Sequence, residues 1–212
     1  MATSKAKENI LKKIRQALSH PVPLPFPQSE GTQSVFHPPA DDSTVVFAET
    51  FTRLQGKFAY CTDVADMKMQ LSLLFRNRPW SKYYFTDPEI VRLLEDSFPG
   101  YTDLPSCDVA ITTCEYLSAR TGTIVLSAAQ HKGRTSSVYA PVHICIAYTS
   151  QLRNDIKEVF VSLKEKHGNN FPSLVTFATG PSRTADIEKT LVTGVHGPKE
   201  VYCFLVDDQT SL

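Results

Sequence analysis

The chain has 212 residues, with 22 basic and 22 acidic side chains, so its formal net charge at pH 7 is zero. This length suits one large domain, or one domain with a small appendage, and is sufficient for a substantial core. The balanced charge lacks the basic excess of a nucleic-acid-binding protein. No apolar run approaches the roughly 18 residues of a membrane span, and the first residues do not resemble a signal peptide. We expect a cytoplasmic globular protein without a membrane span.

The five cysteines are spread along the chain and contain no C-x-x-C pair. They are Cys61, Cys107, Cys114, Cys145 and Cys203. This spacing does not match the clustered thiolates of structural zinc or iron–sulfur sites. Reduced cysteines within apolar runs behave as small hydrophobic side chains. We therefore expect buried thiols in a reducing compartment, and no metal or cofactor held by this chain.

The first residues predict an amphipathic helix followed by an irregular arm. Within residues 4–18, aliphatic side chains recur every four residues from Ile10 to Leu18. The helix must end near His20, because alternating prolines follow and cannot continue it. Six prolines lie within residues 21–39, which predicts an extended arm. The pattern leaves open whether the helix packs on its own domain or on another molecule.

We predict a main domain at residues 42–208, after a helix-and-arm segment of residues 1–41 and before a tail of residues 209–212. Helical and strand patterns alternate in the first half of this domain. They are a helix with Gly56 as its C-cap, a strand at 57–61, a helix capped by Asp63, a strand at 82–87 and a helix opened by Pro88. This βαβ alternation predicts an α/β domain with a mostly parallel sheet and helices on both faces.

The second half of the domain is dominated by apolar runs with strand-forming residues. These runs are 107–112, 121–127, 142–148, 173–179 and 200–206. One long helix is predicted among them at residues 151–168, with Gly168 as its C-cap. Because ligand sites of open α/β sheets lie in loops beyond the strand ends, the loops of this half are the candidate sites.

Two of these segments contain small or basic residues that suit a ligand. Thr121, Gly122 and Thr123 enter a strand, where small side chains admit a ligand to the backbone and hydroxyls donate hydrogen bonds. The alternative is a tight turn before a buried strand. The basic segment 131–137 contains a glycine and Arg134, and its alternative is a solvated hairpin tip.

A third segment, residues 180–188, follows an apolar strand and precedes a helical pattern with Ile187 and Leu191 on one face. A turn from a strand into a helix directs free N–H groups and the positive end of the helix dipole outward. The segment therefore predicts an anion-binding turn. It lacks both the Walker motif and the G-x-G-x-x-G motif, so it does not indicate a nucleotide.

Polar side chains of this segment have separate predicted roles. Ser182 or Thr184 would cap the predicted helix, and Arg183 would bind a carboxylate or phosphate through two hydrogen bonds. Asp186 and Glu188 would lie in the first helical turn. They are catalytic candidates, and the alternative is that they only complement the helix dipole.

Two histidines lie near predicted strand starts. His196 lies between Gly194 and Gly197 and is a candidate general acid or base, the alternative being a hydrogen bond to loop carbonyls. His143 heads an apolar strand and is expected to be structural. Nothing in the spacing of these histidines predicts a shared metal, and no metal site is assigned.

Three segments together resemble the lactate utilization (LUD) domain family, over about residues 42–208. They read TTCEYLSARTGTIVL, GRTSSVYAPVHICI and TGPSRTADIEKTLVTGVHGPKEVYCFLVD. The most specific parts are GPSRTADIE and GVHGP at this spacing. The resemblance implies a fold similar to the sugar-phosphate isomerase and coenzyme A transferase group. Carried over by motif position, the pocket residues it implies are Thr121, Gly122, Thr123, Arg134, Ser182, Arg183, Asp186, Glu188 and His196.

The resemblance also implies a role in oxidising L-lactate to pyruvate beside partner subunits that carry iron–sulfur clusters. We interpret the chain as a non-redox component that binds a small anionic ligand, and a homodimer is compatible with this. The alternative is a stand-alone enzyme of the isomerase/transferase fold group that acts on a sugar phosphate or an acyl-coenzyme A. A third interpretation is a structural protein with a vestigial pocket.

The sequence departs from the family pattern immediately before the Thr-Gly-Thr motif. The family commonly has an acidic residue there, whereas this chain has Arg120. Arginine has no usable lone pair, so a covalent acyl-glutamate mechanism is excluded at this position. The change either adds positive charge to the pocket or marks a different substrate. A smaller departure is the sequence Thr-Thr-Cys where the family has Thr-Gly followed by Cys or Ala.

Overall fold

The structure is a computed structural model. It describes residues 5–19, 42–130, 133–187, 190–193 and 196–209, without the side chains of residues 133–134, 184–187 and 190–193. The chain divides into two compact units, Met1–His37 and Pro38–Leu212. Within the described ranges, none of the helices has both the length and the hydrophobicity of a membrane-spanning segment.

The first unit contains one described element, the helix α1 (Lys5–Leu18). Its bounds confirm the amphipathic helix predicted from the spacing of aliphatic residues. Every side chain of this helix is exposed, including the isoleucines and leucines of its apolar face.

The second unit alternates helices and strands, as predicted. Its helices are α2 (Ser43–Arg53), α3 (Val64–Arg76), α4 (Pro88–Leu94), α5 (Gly133–Tyr139) and α6 (Ile156–His167). Its strands are β1 (Lys57–Cys61), β2 (Tyr83–Tyr84), β3 (Gly100–Tyr101), β4 (Val109–Thr112), β5 (Tyr116–Ser118), β6 (Thr123–Ser127), β7 (Val142–Tyr148), β8 (Leu152–Arg153), β9 (Val175–Ala178), β10 (Arg183–Ile187), β11 (Thr190–Thr193) and β12 (Glu200–Val206).

The main sheet has six strands in the order β1-β12-β7-β4-β2-β3, and every pair in it is parallel. Its central strands are buried on both faces, which explains their uninterrupted apolar sequences. On β12, Val201, Cys203 and Leu205 pack toward α2 and a second sheet, whereas Tyr202 and Phe204 pack toward α3 and α4. The predicted α/β fold with a mostly parallel sheet and helices on both faces is confirmed.

Local sequence signals account for where several helices begin. The Asp63 carboxylate accepts a hydrogen bond of 2.8 Å from the backbone N–H of Asp66 and caps α3. Pro88 occupies the first turn of α4, after the cap residue Asp87. Asp155 caps α6 through hydrogen bonds from the next turn. The predicted starts at Asp63 and Pro88 are therefore confirmed.

The second sheet has the order β8-β5-β6-β9 and lies between the main sheet and α6. Ile124 and Leu126 of β6 join the core under the main sheet. Val125, on the opposite face of the same strand, packs against Val159 and Leu163 of α6. Because successive side chains of β6 point to opposite faces of the sheet, this strand contributes to both the core under the main sheet and the core under α6.

The helix predicted at residues 151–168 begins five residues later in the structure, at Ile156. Leu152–Arg153 instead forms β8, which pairs in parallel with β5. The helix begins at Ile156, because Asp155 provides an N-cap that the continuous apolar spacing concealed. The predicted end is confirmed, since Gly168 is the C-cap of α6.

The C-cap predicted at Gly56 is wrong. The helix α2 ends at Arg53, and the residue with positive φ is Gln55, at 68°. Gly56 has a different role, because a Cβ atom there would lie 2.4 Å from the Phe51 ring. The glycine is required by close packing against α2.

The helix predicted after residue 182 is also wrong. Residues Arg183–Ile187 and Thr190–Thr193 form an antiparallel pair of strands, with Thr184 opposite Val192. Threonine, isoleucine and valine recur through both segments, and these β-branched side chains favour strands over helices. The helical first-turn position predicted for Asp186 is therefore a strand position, and Glu188 lies outside the described residues.

The basic segment 131–137 forms neither a loop nor a hairpin tip over its described part. Residues Gly133–Tyr139 are the helix α5, and Ser136 and Ser137 are buried in it. His131 and Lys132 lie outside the described residues.

Candidate functional site

A pocket of about 150 Å³ lies at the amino ends of β7 and β12, where α5, β9 and the segment before β12 converge. Its lining combines two imidazoles, three hydroxyls and small apolar groups. The polar side chains are Ser137, His143, Thr176, Ser182 and His196. Sites in open parallel sheets usually lie beyond the carboxyl ends of the strands, so this pocket is at the opposite edge.

Backbone contacts hold Ser182 beside the segment that carries His196. The backbone N–H of Ser182 donates a hydrogen bond of 3.0 Å to the carbonyl of Pro198. Gly197 has a φ of 155°, and a Cβ atom there would lie 2.9 Å from the Ser182 Cβ. A side chain at position 197 would therefore separate the two segments, and glycine permits their approach.

His143 forms the buried part of the pocket wall and is 1% exposed. Its Nε2 shares a hydrogen bond of 2.9 Å with Oγ1 of Thr112. Burial lowers the pKa of His143 from its ordinary value of 6.5 to about 4, so the ring is neutral near pH 7. A neutral imidazole can donate a hydrogen bond through one ring nitrogen and accept one through the other.

The fold brings His196 to the same pocket as His143, although 53 residues separate them in sequence. The His196 side chain is exposed, so it lies at the solvent side of the pocket and His143 at the buried side. Within the described ranges, no group of three or more His, Cys, Asp or Glu side chains is placed to hold a metal ion.

The predicted Thr-Gly-Thr segment lies elsewhere and packs against α2. A Cβ atom at Gly122 would lie 2.8 Å from the backbone nitrogen of Phe51. The hydroxyl of Thr123 donates to Oγ1 of Thr121 at 2.8 Å and lies 2.9 Å from Oγ1 of Thr179. The backbone of α2 therefore occupies the space directly beside this glycine.

The predicted arginines do not line the pocket in the described part of the chain. The exposed Arg183 donates a hydrogen bond to the backbone carbonyl of Leu54. Arg120 is exposed, and its backbone N–H donates to the carbonyl of Asn154. Arg120 is not one of the residues that line the pocket. The remaining predicted side chains lie outside the described residues: Arg134, Thr184, Asp186 and Glu188.

A buried carboxylate with charged partners lies at the carboxyl end of the main sheet. The local sequence does not predict it. Glu115 is 2% exposed and lies where the chain passes from β4 to β5. Its carboxylate accepts hydrogen bonds from Ser127 Oγ at 2.5 Å and from Lys166 Nζ at 2.7 Å, and His167 Nε2 lies 3.4 Å away without forming a hydrogen bond to it. Burial opposes ionisation, but the bonds from Lys166 and Ser127 outweigh it and lower the pKa of Glu115. The one sequence signal for this group is a single carboxylate between two apolar strands.

We expect Lys166→Met to lower the free energy of unfolding by about 1–2 kcal/mol, because it leaves the buried Glu115 carboxylate without its charged partner. Half of the Lys166 side chain is exposed, which keeps this effect below that of a fully buried pair. In urea unfolding at pH 7, adding Glu115→Gln to Lys166→Met should restore part of the loss. A double variant no more stable than Lys166→Met would contradict this account.

All five cysteines are free and buried, as predicted. Burial raises the pKa of Cys61 to about 12 and also raises the pKa of Cys107. Protonated thiols are poor nucleophiles and poor metal ligands. These two cysteines therefore belong to the packing of the core rather than to a reactive site.

The fold has a solved counterpart. The chain is similar to the crystal structure of a DUF162 family protein from Deinococcus radiodurans, with a TM-score of 0.58 and 16% sequence identity. The match covers 77% of this chain and 96% of that one. At this identity the similarity shows a shared α/β fold.

The family assignment comes from the sequence of the second half of the chain. The LUD domain family model matches residues 100–206, half of the 212-residue chain. The chain belongs to the LUD domain family.

Two curated relatives are similar to the chain over 104 residues each. The lactate utilization protein C of Halalkalibacterium halodurans is 38% identical, over 48% of this chain and 45% of that protein. The lactate utilization protein C of Bacillus licheniformis is 35% identical, over 48% of this chain and 43% of that protein. The match thus spans less than half the length of each relative.

Proposed function

We propose that the chain is a cytoplasmic, non-redox component of an L-lactate utilization system that binds a small carboxylate such as lactate or pyruvate. The names of the similar proteins support the pathway. One observation carries the binding role: two imidazoles and three hydroxyls converge on one pocket whose described lining contains no carboxylate side chain.

The arrangement of the polar groups suits a 2-hydroxy or 2-oxo acid. The ligand carboxylate would accept hydrogen bonds from Ser182 and His196 at the solvent side of the pocket. The oxygen on the second carbon would form a hydrogen bond with Nδ1 of His143 at the buried side. A neutral imidazole can bond to a hydroxyl or a carbonyl there, so the pocket accommodates both lactate and pyruvate.

The pocket volume favours a ligand of this size over the alternative substrates. Sites that enclose drug-sized molecules usually measure about 300–1,000 Å³, and this pocket holds about 150 Å³. A sugar phosphate or an acyl-coenzyme A would extend far beyond it. Ala178, Pro198 and Val201 provide the apolar surface that a three-carbon chain requires.

The proposal places the iron–sulfur clusters on partner subunits, as the family resemblance implies. The cysteines of this chain support this division, because all five are buried and none belongs to a C-x-x-C pair. This chain would bind or present the carboxylate, and the partners would accept its electrons.

We expect lactate or pyruvate, at about a hundred times its Kd, to raise the melting temperature of the full chain by roughly 5–10 °C. Ser182→Ala and His196→Ala should each weaken binding by about tenfold or more, because each removes a hydrogen bond to a charged ligand. Differential scanning fluorimetry and isothermal titration calorimetry measure the two effects.

Arg183→Ala is the matched control, since Arg183 is exposed and bonds to Leu54 rather than lining the pocket. We expect it to change affinity by less than about twofold. Binding of a sugar phosphate or a coenzyme A ester in preference to both carboxylates would favour the stand-alone enzyme. Lactate oxidation by this chain without partners would contradict the non-redox role.

A further inference from the structure

The helix α1 is amphipathic, and its apolar face is exposed to solvent. Ile10 is 59% exposed, Ile14 is 48% exposed and Leu18 is 75% exposed, with Leu11 beside them. At 100° per residue, these side chains and Ala6 occupy an arc of about 140°. Exposed aliphatic surface on this scale favours burial against another apolar phase.

The charge of α1 has one dominant sign. The helix contains five basic side chains and one acidic one, a net charge of +4. Since the whole chain is neutral, the remaining residues carry a net charge of −4. The first helix therefore has a net positive charge that the rest of the chain balances.

The positions of the cations relative to the apolar arc suit a flat interface. Lys13 lies at one border of the arc and Arg15 at the other, while Lys5 and Lys12 lie on the opposite face. Lys7 lies within the arc, where a long side chain can extend its ammonium group toward a polar boundary. Cations at both borders place positive charge at headgroup depth when the aliphatic face is immersed.

We propose that α1 binds reversibly to an anionic phospholipid surface, with its axis in the plane of the membrane and its aliphatic face among the acyl chains. A narrow protein groove would match an apolar stripe bordered by mixed charges, whereas this helix has a broad arc and mostly positive borders. Burial of the apolar face among the acyl chains favours binding, and the cations make the helix selective for anionic headgroups. The proposal is independent of the ligand pocket in the second unit.

The binding should be weak without anionic lipid. A 14-residue helix is only marginally stable alone in water, so the membrane would also stabilise its helical form. A single short amphipathic helix gives reversible attachment rather than permanent anchoring.

The test is co-sedimentation of the full chain with vesicles of phosphatidylcholine containing about one-third phosphatidylglycerol, beside vesicles of pure phosphatidylcholine. We expect at least about tenfold stronger partitioning to the anionic vesicles, and loss of that partitioning in high salt. Ile10→Glu/Ile14→Glu should reduce binding to background, because it places two carboxylates in the apolar face.

The matched control is Asn9→Glu/Gln16→Glu, which changes the net charge equally but on the face opposite the apolar arc. It should retain measurable binding to the anionic vesicles, and the melting temperature of the chain reports that each variant is folded. Equal loss in both double variants would show charge attraction without insertion and would overturn the proposal. Absence of binding by the unmodified chain, or equal binding to both kinds of vesicle, would also overturn it.

Discussion

We expect Gly122→Ala to lower the free energy of unfolding by about 3–4 kcal/mol, the largest effect that we predict for a single substitution in this protein. Gly122 has a φ of 57°, which disfavours a side chain, and a Cβ atom would lie 2.8 Å from the nitrogen of Phe51. The obstructing atoms belong to the backbone of α2, so they cannot rotate away. Relief would require moving a helix whose Phe47 and Phe51 are fully buried.

Gly168→Ala is the control for this prediction. Gly168 also has a positive φ, of 52°, but no atom lies within 4 Å of the position that the alanine methyl group would occupy. We expect a cost of about 1–2 kcal/mol from backbone strain alone. Urea unfolding followed by circular dichroism measures both variants. Equal losses for Gly122→Ala and Gly168→Ala would refute the proposed contact with α2.

The second large effect is a dependence of stability on pH that His143 produces. The unfolded chain binds a proton at an ordinary histidine pKa of 6.5, whereas the folded state resists protonation until about pH 4. Protons therefore favour the unfolded state as the pH falls through this window, and stability is retained above it. We expect the free energy of unfolding to fall by about 2 kcal/mol between pH 7 and pH 5 through this group. This range lies above that in which most carboxylates protonate.

His143→Gln should remove this contribution to the pH slope, whatever its effect on stability at pH 7. Thr112→Val is the matched control: it removes the 2.9 Å hydrogen bond to His143 but keeps the ring buried. Because burial is the cause of the lowered pKa, Thr112→Val should retain the slope. Urea unfolding at closely spaced pH values tests both, and an unchanged slope in His143→Gln would contradict the assignment.

These two predictions concern residues whose roles differ from those that local sequence indicates. The sequence around Gly122 suggests the approach of a ligand, but the neighbour that approaches it is the backbone of α2. The sequence around His143 suggests a structural residue, and the fold also makes it the buried wall of a pocket. Phe51 is far from Gly122 in the sequence, as His196 is from His143. Local patterns carry no information about such distant partners.

Local sequence predicted the structure correctly wherever a sequence signal and the element it controls lie within a few residues of each other. The apolar runs at Val142–Tyr148 and Glu200–Val206 are strands with the predicted bounds, because both faces of a central parallel strand are buried. Asp63 and Pro88 set helix starts for the same reason, since a cap acts on the next turn.

Packing between segments that are distant in sequence determined the β10–β11 pair, the pocket and the buried ionic group. Arg183–Ile187 and Thr190–Thr193 have a helical spacing of apolar side chains, yet they pair as antiparallel strands, because this pairing satisfies the backbone of both β-branched segments. The pocket joins Ser182 and His196 to His143, and the ionic group joins Glu115 to Lys166 from a distant helix. Charges and cavities depend on which distant segments meet. Composition and periodicity predicted the α/β layers of this chain, and the packing of those layers placed its candidate chemistry.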